Sequence, residues 1–303
     1  FIFTSTIYFF TNFAGIDDPT IEFIIFSTVY IIFIYLICNY LVGTRKSLLL
    51  YSSLFITSFF MESILLGLMI CMFYKTRRSF FIFIIGITRI DSLIILSPLI
   101  IEKYYSNKKL FFEYLCYLLL SVFCTFGFNY NLDGFIMSIS SFSKITSDLS
   151  IYERFLLNMS SNLLVSKIFV TSIMVVFSYK YLYESRNKIG LMLLLGLIIF
   201  TLIHLSLSVF RIWYLAPLFI FSSFIILTTP RQSKISSNFI IMVVAFYLIH
   251  SIYHDVVFYK KDRDISQVYM SKLKDYKKHI GYKVDQSGYT SYFSDGKIIN
   301  GDG

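Results

Sequence analysis

Charged residues are scarce in this chain of 303 residues. Asp, Glu, Lys and Arg make up 15% of it, against roughly 25% in a soluble globular domain, while hydrophobic residues reach 56%. That shortage excludes a soluble enzyme, a disordered chain and a nucleic-acid-binding domain, because the polar surface each needs is not there. Cysteine is sparse too. The four present, Cys38, Cys71, Cys116 and Cys124, all lie in apolar runs, without a CxxC pair or a histidine at metal-ligand spacing. They read as small buried hydrophobes, with no disulfide framework and no zinc site. A phosphate-cradling glycine loop, a Walker motif and a recognisable Ser/His/Asp set are missing, as are internal repeats and low-complexity segments.

What the chain has instead is apolar runs, at about 1–14, 21–42, 47–74, 79–101, 110–128, 163–183, 189–209, 212–229 and 237–257. A helix needs about 20 apolar residues to cross the roughly 30 Å of hydrocarbon in a bilayer. The expected fold class is therefore an all-α polytopic membrane protein. A membrane barrel would show alternating runs of about 10 residues. The chain opens with Phe1 inside an apolar stretch and stops at Asn300-Gly301-Asp302-Gly303 without a closing element; a fragment truncated at both ends is expected. Two regions follow: a transmembrane helical domain over 1–257, with a loop at 129–160, and an incomplete tail over 258–303. In the tail, a charged helix from Lys260 to Lys278 and a hairpin about Asp295-Gly296 are expected.

The net charge of +9 sits mostly between the runs. Lys75/Arg77/Arg78, Lys103/Lys108/Lys109, Lys180/Arg186/Lys188 and Arg231/Lys234 mark the cytoplasmic side. Loop 129–160 and the tail then fall outside, in an integral, multi-pass protein of the plasma (inner) membrane. Run 79–101 has basic residues at both flanks, so either it forms two half-helices returning to one side, the favoured reading, or Lys75/Arg77/Arg78 face outward. Tyr104-Tyr105 and Tyr179–Tyr183 suit the aromatic belt at the interface.

Ionisable residues inside the runs are the sharpest functional signal, since a charge at the bilayer centre costs a few kcal/mol or more unless paired or hydrated. Arg89 and Asp91 lie at the middle of run 79–101. They point to a wet cavity in which Arg89 meets an anion, such as a phosphate, through forked hydrogen bonds; the alternative is an ion pair that only stitches helices. Glu62 is a partner for Arg89, a site residue, or a carboxylate at the junction of two shorter helices. Arg211 stands beside Trp213, the only tryptophan, and Tyr214. This group either captures a lipid phosphate or anchors the chain at the interface. His204 and His250, each alone on an apolar segment, read as bonding to neighbouring helices, so no metal site is expected. Asp17-Asp18-Pro19 reads as a turn.

Several segments in order resemble one family. Phe60-Met61-Glu62-Ser63 resembles a "Gly-Met-Glu-Thr" element, and Thr88-Arg89-Ile90-Asp91-Ser92 an "Arg-Pro-Asp/Glu-Gly" element in which Ile90 and Ser92 replace Pro and Gly. Arg211-Ile212-Trp213-Tyr214-Leu215-Ala216-Pro217 resembles "Arg-Tyr-Leu-x-Pro". Asp285-Gln286-Ser287-Gly288, Tyr292-Phe293-Ser294 and Asn300-Gly301-Asp302-Gly303 resemble an external-tail run of the form "Asp-x-Gly … Tyr-Phe-Ser … Asp-Gly". Together they resemble the GT-C class of polyprenyl-phosphate-sugar-dependent membrane glycosyltransferases, above all the group similar to the mycobacterial terminal arabinofuranosyltransferase. The resemblance implies a GT-C-like helical bundle with a short external α+β tail. It implies inverting transfer of a sugar from a polyprenyl-phosphate donor to a glycan or lipid acceptor of the cell envelope, in contact with membrane lipids and not nucleic acid. In that scheme Arg89, Arg211, Trp213 and Tyr214 hold the donor phosphate and lipid, Glu62 and Asp91 orient them, and Asp285 and Gly288 belong to the tail motif. The catalytic base is expected upstream of residue 1, and the 43–46 turn outside. No cofactor is called for, although a divalent cation is compatible with the chemistry. A transporter or flippase for a lipid-linked or small anionic substrate is the alternative, and a non-catalytic scaffold a third reading.

Overall fold

A computed structural model describes residues 19–57, 61–133, 162–207 and 212–229, with short pieces at 150, 152–153, 245, 281–283 and 298–300. The chain divides into two units, Phe1–Thr125 with Leu149–Ala245, and Phe126–Asp148 with Phe246–Gly303. The second unit draws on two separate stretches of the chain.

The larger unit is all-helical among the described residues. Its helices are α1 (Pro19–Val42), α2 (Thr44–Thr57), α3 (Met61–Thr76), α4 (Phe80–Thr88), α5 (Leu93–Ser106), α6 (Lys108–Asp133, which continues into the second unit), α7 (Asn162–Glu184), α8 (Lys188–Leu207) and α9 (Ala216–Thr228). Two 3-10 turns, Ile90–Ser92 and Ile212–Leu215, precede α5 and α9. Two stretches, Lys108–Gly127 and Lys188–Ser206, are long and apolar enough to cross a membrane.

The basic turns gather at one end of the larger unit. Lys75 Nζ donates to the carbonyls of Tyr40 and Leu41, the latter at 3.0 Å, and Lys46 Nζ to that of Leu227. Arg77 Nη2 donates to Asn187 Oδ1 at 3.4 Å, and Asn187 Nδ2 to the Tyr74 hydroxyl at 2.7 Å. Phe73 meets Tyr114 edge-to-face at 5.9 Å, and Glu102 lies within electrostatic reach of Lys188. The start of α4 and the end of α5 therefore share this basic end, so run 79–101 does return to the side it enters from. Its nine-residue first half reaches in by about 14 Å at 1.5 Å per residue.

The same contacts correct the expectation for the 43–46 turn. Run 47–74 is not one span. It divides into α2 and α3, and Lys46 and Lys75 hold both of its ends at the basic end. The 43–46 turn lies with the basic loops and not opposite them. The physical cause is that Lys46 and Lys75 each satisfy helix C-terminal carbonyls, which lack intrahelical donors.

The five shorter helices, α2, α3, α4, α5 and α9, thus each have one end at the basic end and the other at depth. The deep ends carry Glu62, the Arg89–Asp91 stretch and Tyr214. At the deep break between α4 and α5, Arg89 is extended (φ −154°, ψ 125°). Ser92 Oγ donates across the break to the Ile85 carbonyl at 2.8 Å, which also accepts from the Arg89 N–H at 3.4 Å. Within α5, Pro98 has no N–H to offer, and Ser97 Oγ donates to the Ile94 carbonyl at 2.8 Å instead.

Helices approach closely where one of them carries glycine. A Cβ on Gly196 of α8 would lie 1.9 Å from the Ile95 carbonyl oxygen of α5, and one on Gly86 of α4 2.1 Å from Ser121 Oγ of α6. In the intervening loop, Ser150 N and Oγ donate to Glu153 Oε2 at 2.8 and 2.7 Å, and Glu153 N returns to Ser150 Oγ, a reciprocal helix-start box. These bonds hold the Glu153 carboxyl below its ordinary pKa.

In the second unit, Gly281–Lys283 pairs in parallel with Ile298–Asn300, Tyr282 opposite Ile299. Parallel neighbours are joined by a crossover and not by a two-residue turn, so this pairing is separate from the expected hairpin. The proposed turn at Asp295-Gly296 and the helix from Lys260 to Lys278 lie outside the described residues.

Candidate functional site: a charged cluster at the deep helix ends

The break after α4 fixes Arg89 and Asp91 two residues apart on one short turn. Arg89 Nε donates to Asp91 Oδ1 at 3.0 Å and Nη2 to Oδ2 at 2.6 Å, the two-point geometry for which a guanidinium is suited. Their side chains are 14% and 24% exposed, so the pair is largely out of solvent. From α8, His204 Nε2 comes to 3.1 Å from Asp91 Oδ2. The carboxylate is thus bracketed by two side chains from different helices.

Aromatic rings close the cluster. The His204 ring stacks on Tyr214 with centroids 3.9 Å apart and planes at 12°, and Phe200, one helical turn back, meets it edge-on at 4.5 Å. The Arg89 guanidinium sits over the Tyr214 ring at 4.9 Å, where the negative face of the ring attracts a cation. Tyr214 is buried. Its 3-10 turn enters α9 with Pro217 in the first turn, where the missing N–H of proline costs nothing.

This arrangement has a chemical consequence. Asp91 occupies one edge of the Arg89 fork, so an anion from outside must use the other edge, on the Nη1 side. A neutral His204 donates to Asp91 only as the Nε2–H tautomer. The cluster is therefore a polarised, mostly desolvated patch in which position is set by three elements, and where electrostatic interactions are stronger than in water.

Of the residues singled out in the sequence, the structure brings Arg89, Asp91 and Tyr214 together. Glu62 lies half-buried in the first turn of α3, beside the buried Ser63; the carboxylate paired with Arg89 is that of Asp91. Trp213 belongs to the same 3-10 turn as Tyr214. Arg211, Asp285 and Gly288, together with Asp17-Asp18 and His250, lie outside the described residues. No group of His, Cys, Asp or Glu able to hold a metal ion occurs among the described residues.

One member of the cluster, and one buried charge outside it, were not expected. His204 was read only as a helix-to-helix contact, because nothing local ties it to Asp91, more than a hundred residues earlier. Lys167 was not singled out at all, yet it is buried in α7 at 4% exposure. Its sequence signal was available: Lys167 is a lone charge within an otherwise apolar stretch.

No protein-family model matches the chain, and no curated protein and no solved structure is significantly similar to it.

Proposed function

We propose that this is a multi-pass plasma-membrane glycosyltransferase-like protein of GT-C type, which uses a polyprenyl-phosphate-linked sugar and an acceptor on the outer side. The membrane reading is supported by inverted burial. Phe112, Phe123, Phe169 and Val176 are 60–73% exposed, while Lys167 and Arg89 are withdrawn from the surface. Water would penalise that apolar exposure; lipid would not. Tyr40, Tyr104, Tyr105, Tyr179 and Tyr183 are exposed at the basic end, the distribution of an interfacial belt. With the basic end cytoplasmic, the Arg89 cluster stands about 14 Å deep, near the midplane of roughly 30 Å of hydrocarbon.

Topology is testable directly. In a variant free of native cysteine, an impermeant thiol reagent added from outside is expected to label Ser143→Cys and Ser287→Cys and to spare Ser185→Cys, which lies in the exposed α7–α8 turn. Outside labelling of Ser185→Cys would invert the orientation.

The observation that carries the transferase reading is the Arg89–Asp91–His204–Tyr214 cluster, at the deep ends of short helices and on the segments that resemble the GT-C family. A cationic edge backed by a carboxylate suits a phosphate whose charge grows as the glycosidic bond breaks. The test is binding of a polyprenyl monophosphate to the whole chain in nanodiscs, followed through Trp213. Arg211→Ala is expected to weaken binding by about 1.5–3 kcal/mol, the range for hydrogen bonds to charged groups. Arg211→Lys should recover part of this, since the charge remains and the fork is lost. Binding unchanged by both would assign Arg211 to anchoring.

The two successive half-helix pairs, α2/α3 and α4/α5, favour a second reading as a transporter or flippase, because broken helices at mid-membrane line transport sites. Translocation of a lipid-linked sugar by proteoliposomes, without its transfer to any acceptor, would select it.

A further inference from the structure

The basic end carries two kinds of cation. Lys46 and Lys75 are committed to helix C-terminal carbonyls, and Lys103 to Glu102 at 2.8 Å. Arg77, Arg78, Lys108, Lys109, Arg186 and Lys188 are instead exposed, and no carboxylate among the described residues lies within ion-pair distance of them.

Contacts between three turns bring these cations to one place. Asn187 Oδ1 accepts from Gly190 N at 3.1 Å, at the start of α8, and from Arg77 Nη2 at 3.4 Å. The Arg77 guanidinium also lies over the Tyr74 ring at 4.4 Å. Both contacts hold its position without neutralising its charge. Arg186 is the residue before Asn187. The α5–α6 turn joins through Glu102, within electrostatic reach of Lys188, and through Tyr114 at the start of α6, within reach of Arg77.

Arg77 and Arg186 are also the residues other than glycine that adopt positive φ among the described residues, at 60° and 52°. Each follows a helix end: Arg77 N donates to the Phe73 carbonyl at 2.8 Å, and Arg186 N to that of Tyr183 at 3.0 Å. Glycine is the usual residue there, because a side chain strains the left-handed backbone. Cytoplasmic sidedness asks only for positive charge somewhere in a loop. It does not call for arginine at the two positions where the backbone resists it. Exposed Tyr104, Tyr105, Phe112 and Tyr183 stand on the same turns or the helix ends beside them.

We propose that these three turns form a binding surface for anionic phospholipid of the adjoining leaflet, with Arg77 and Arg186 on the lipid phosphate. The proposal rests on the membrane reading above, not on the transferase reading, and concerns a surface separate from the Arg89 cluster. Clustered basic residues beside membrane helices attract anionic headgroups. A guanidinium is weakly hydrated and offers a fork to two phosphate oxygens, and the exposed aromatic rings suit the boundary between headgroup and acyl chain.

The experiment places the full chain in phosphatidylcholine bilayers, with spin-labelled phosphatidylglycerol or spin-labelled phosphatidylcholine as the probe. The motionally restricted fraction of each label gives their relative affinity for the protein. The wild type is expected to prefer phosphatidylglycerol by at least about threefold. Arg77→Gly/Arg186→Gly should lose most of this preference, and Arg77→Lys/Arg186→Lys should keep more than half. Arg45→Gln/Lys180→Gln, equal in charge to the glycine variant but outside the three turns, should keep it. Arg186→Gly should leave the thermal unfolding midpoint unchanged or raise it, since glycine relieves the backbone, whereas a purely structural role would lower it. No preference in the wild type, an undiminished preference in the double glycine variant, or an equal loss in Arg45→Gln/Lys180→Gln overturns the proposal. Absence of any restricted lipid overturns the membrane reading with it. Release of the bound phosphatidylglycerol by micromolar pyrophosphate at constant ionic strength would show a site for soluble phosphate, and overturns the lipid assignment. Should the double glycine variant fail to insert, a reduced preference in Arg186→Gly alone supports the proposal, and an unchanged one overturns it.

Discussion

Arg89→Met is expected to destabilise the protein by about 3–5 kcal/mol, the range for removing one partner of a buried ion pair. The variant strands the Asp91 carboxylate beside His204, largely out of solvent. Asp91→Leu should cost a similar amount, since it strands the guanidinium and removes the group to which His204 is held at 3.1 Å. The double variant Arg89→Met/Asp91→Leu should recover much of the loss, because an apolar pair of comparable size has no charge to desolvate. Reversible unfolding in mixed micelles, followed through Trp213, measures all three. The double variant also separates the two meanings of the pair. If it regains stability and loses affinity for a polyprenyl monophosphate, the ion pair serves the site. If it regains both, the pair only joins helices.

The second large effect is expected at Gly196. A methyl group there would meet the Ile95 carbonyl carbon at 2.7 Å as well as its oxygen. Both obstacles are backbone, so no rotamer change relieves them, and α8 must move away from α5. Gly196→Ala is expected to cost at least the 1–3 kcal/mol or so of an overpacked core, and Gly196→Leu to prevent the two helices from docking. The displacement is carried two turns along α8 to His204 and should break its approach to Asp91. Gly127 provides the control: a Cβ there has nothing within 4 Å. Gly127→Ala should be neutral or stabilise by up to about 1 kcal/mol through helix propensity. Equal effects at Gly127 and Gly196 would mean that the close approach at Ile95 is not what holds α8.

Where the chain is helical was largely legible. Runs 21–42, 163–183 and 189–209 differ by at most two residues at either end from Pro19–Val42, Asn162–Glu184 and Lys188–Leu207. The break in run 79–101 was legible as well, because basic residues flank it on both sides and charges interrupt its centre. Run 47–74 gave no such warning. Its interior lacks proline, and Glu62 alone hinted that a helix starts there. What sets its two ends together is the pairing of Lys46 with the end of α9 and of Lys75 with the end of α1, contacts between residues far apart in the chain.

The site divides along the same line. Arg89 and Asp91 are two positions apart, and their costly placement inside an apolar run marks them in any sequence reading. Apolar content and the positions of most helices depend on local composition, so the sequence by itself determined them. Membership of His204, the aromatic cradle of Tyr214 and the inward face of Lys167 depends on which helix packs against which. Tertiary structure alone decided these, through glycine contacts such as Gly196 on Ile95 that choose one helix pairing among many of equal hydrophobicity. In a chain this uniformly apolar, burial of hydrophobic surface does not discriminate between helix neighbours; close backbone approach and the partners found by a few buried polar groups do.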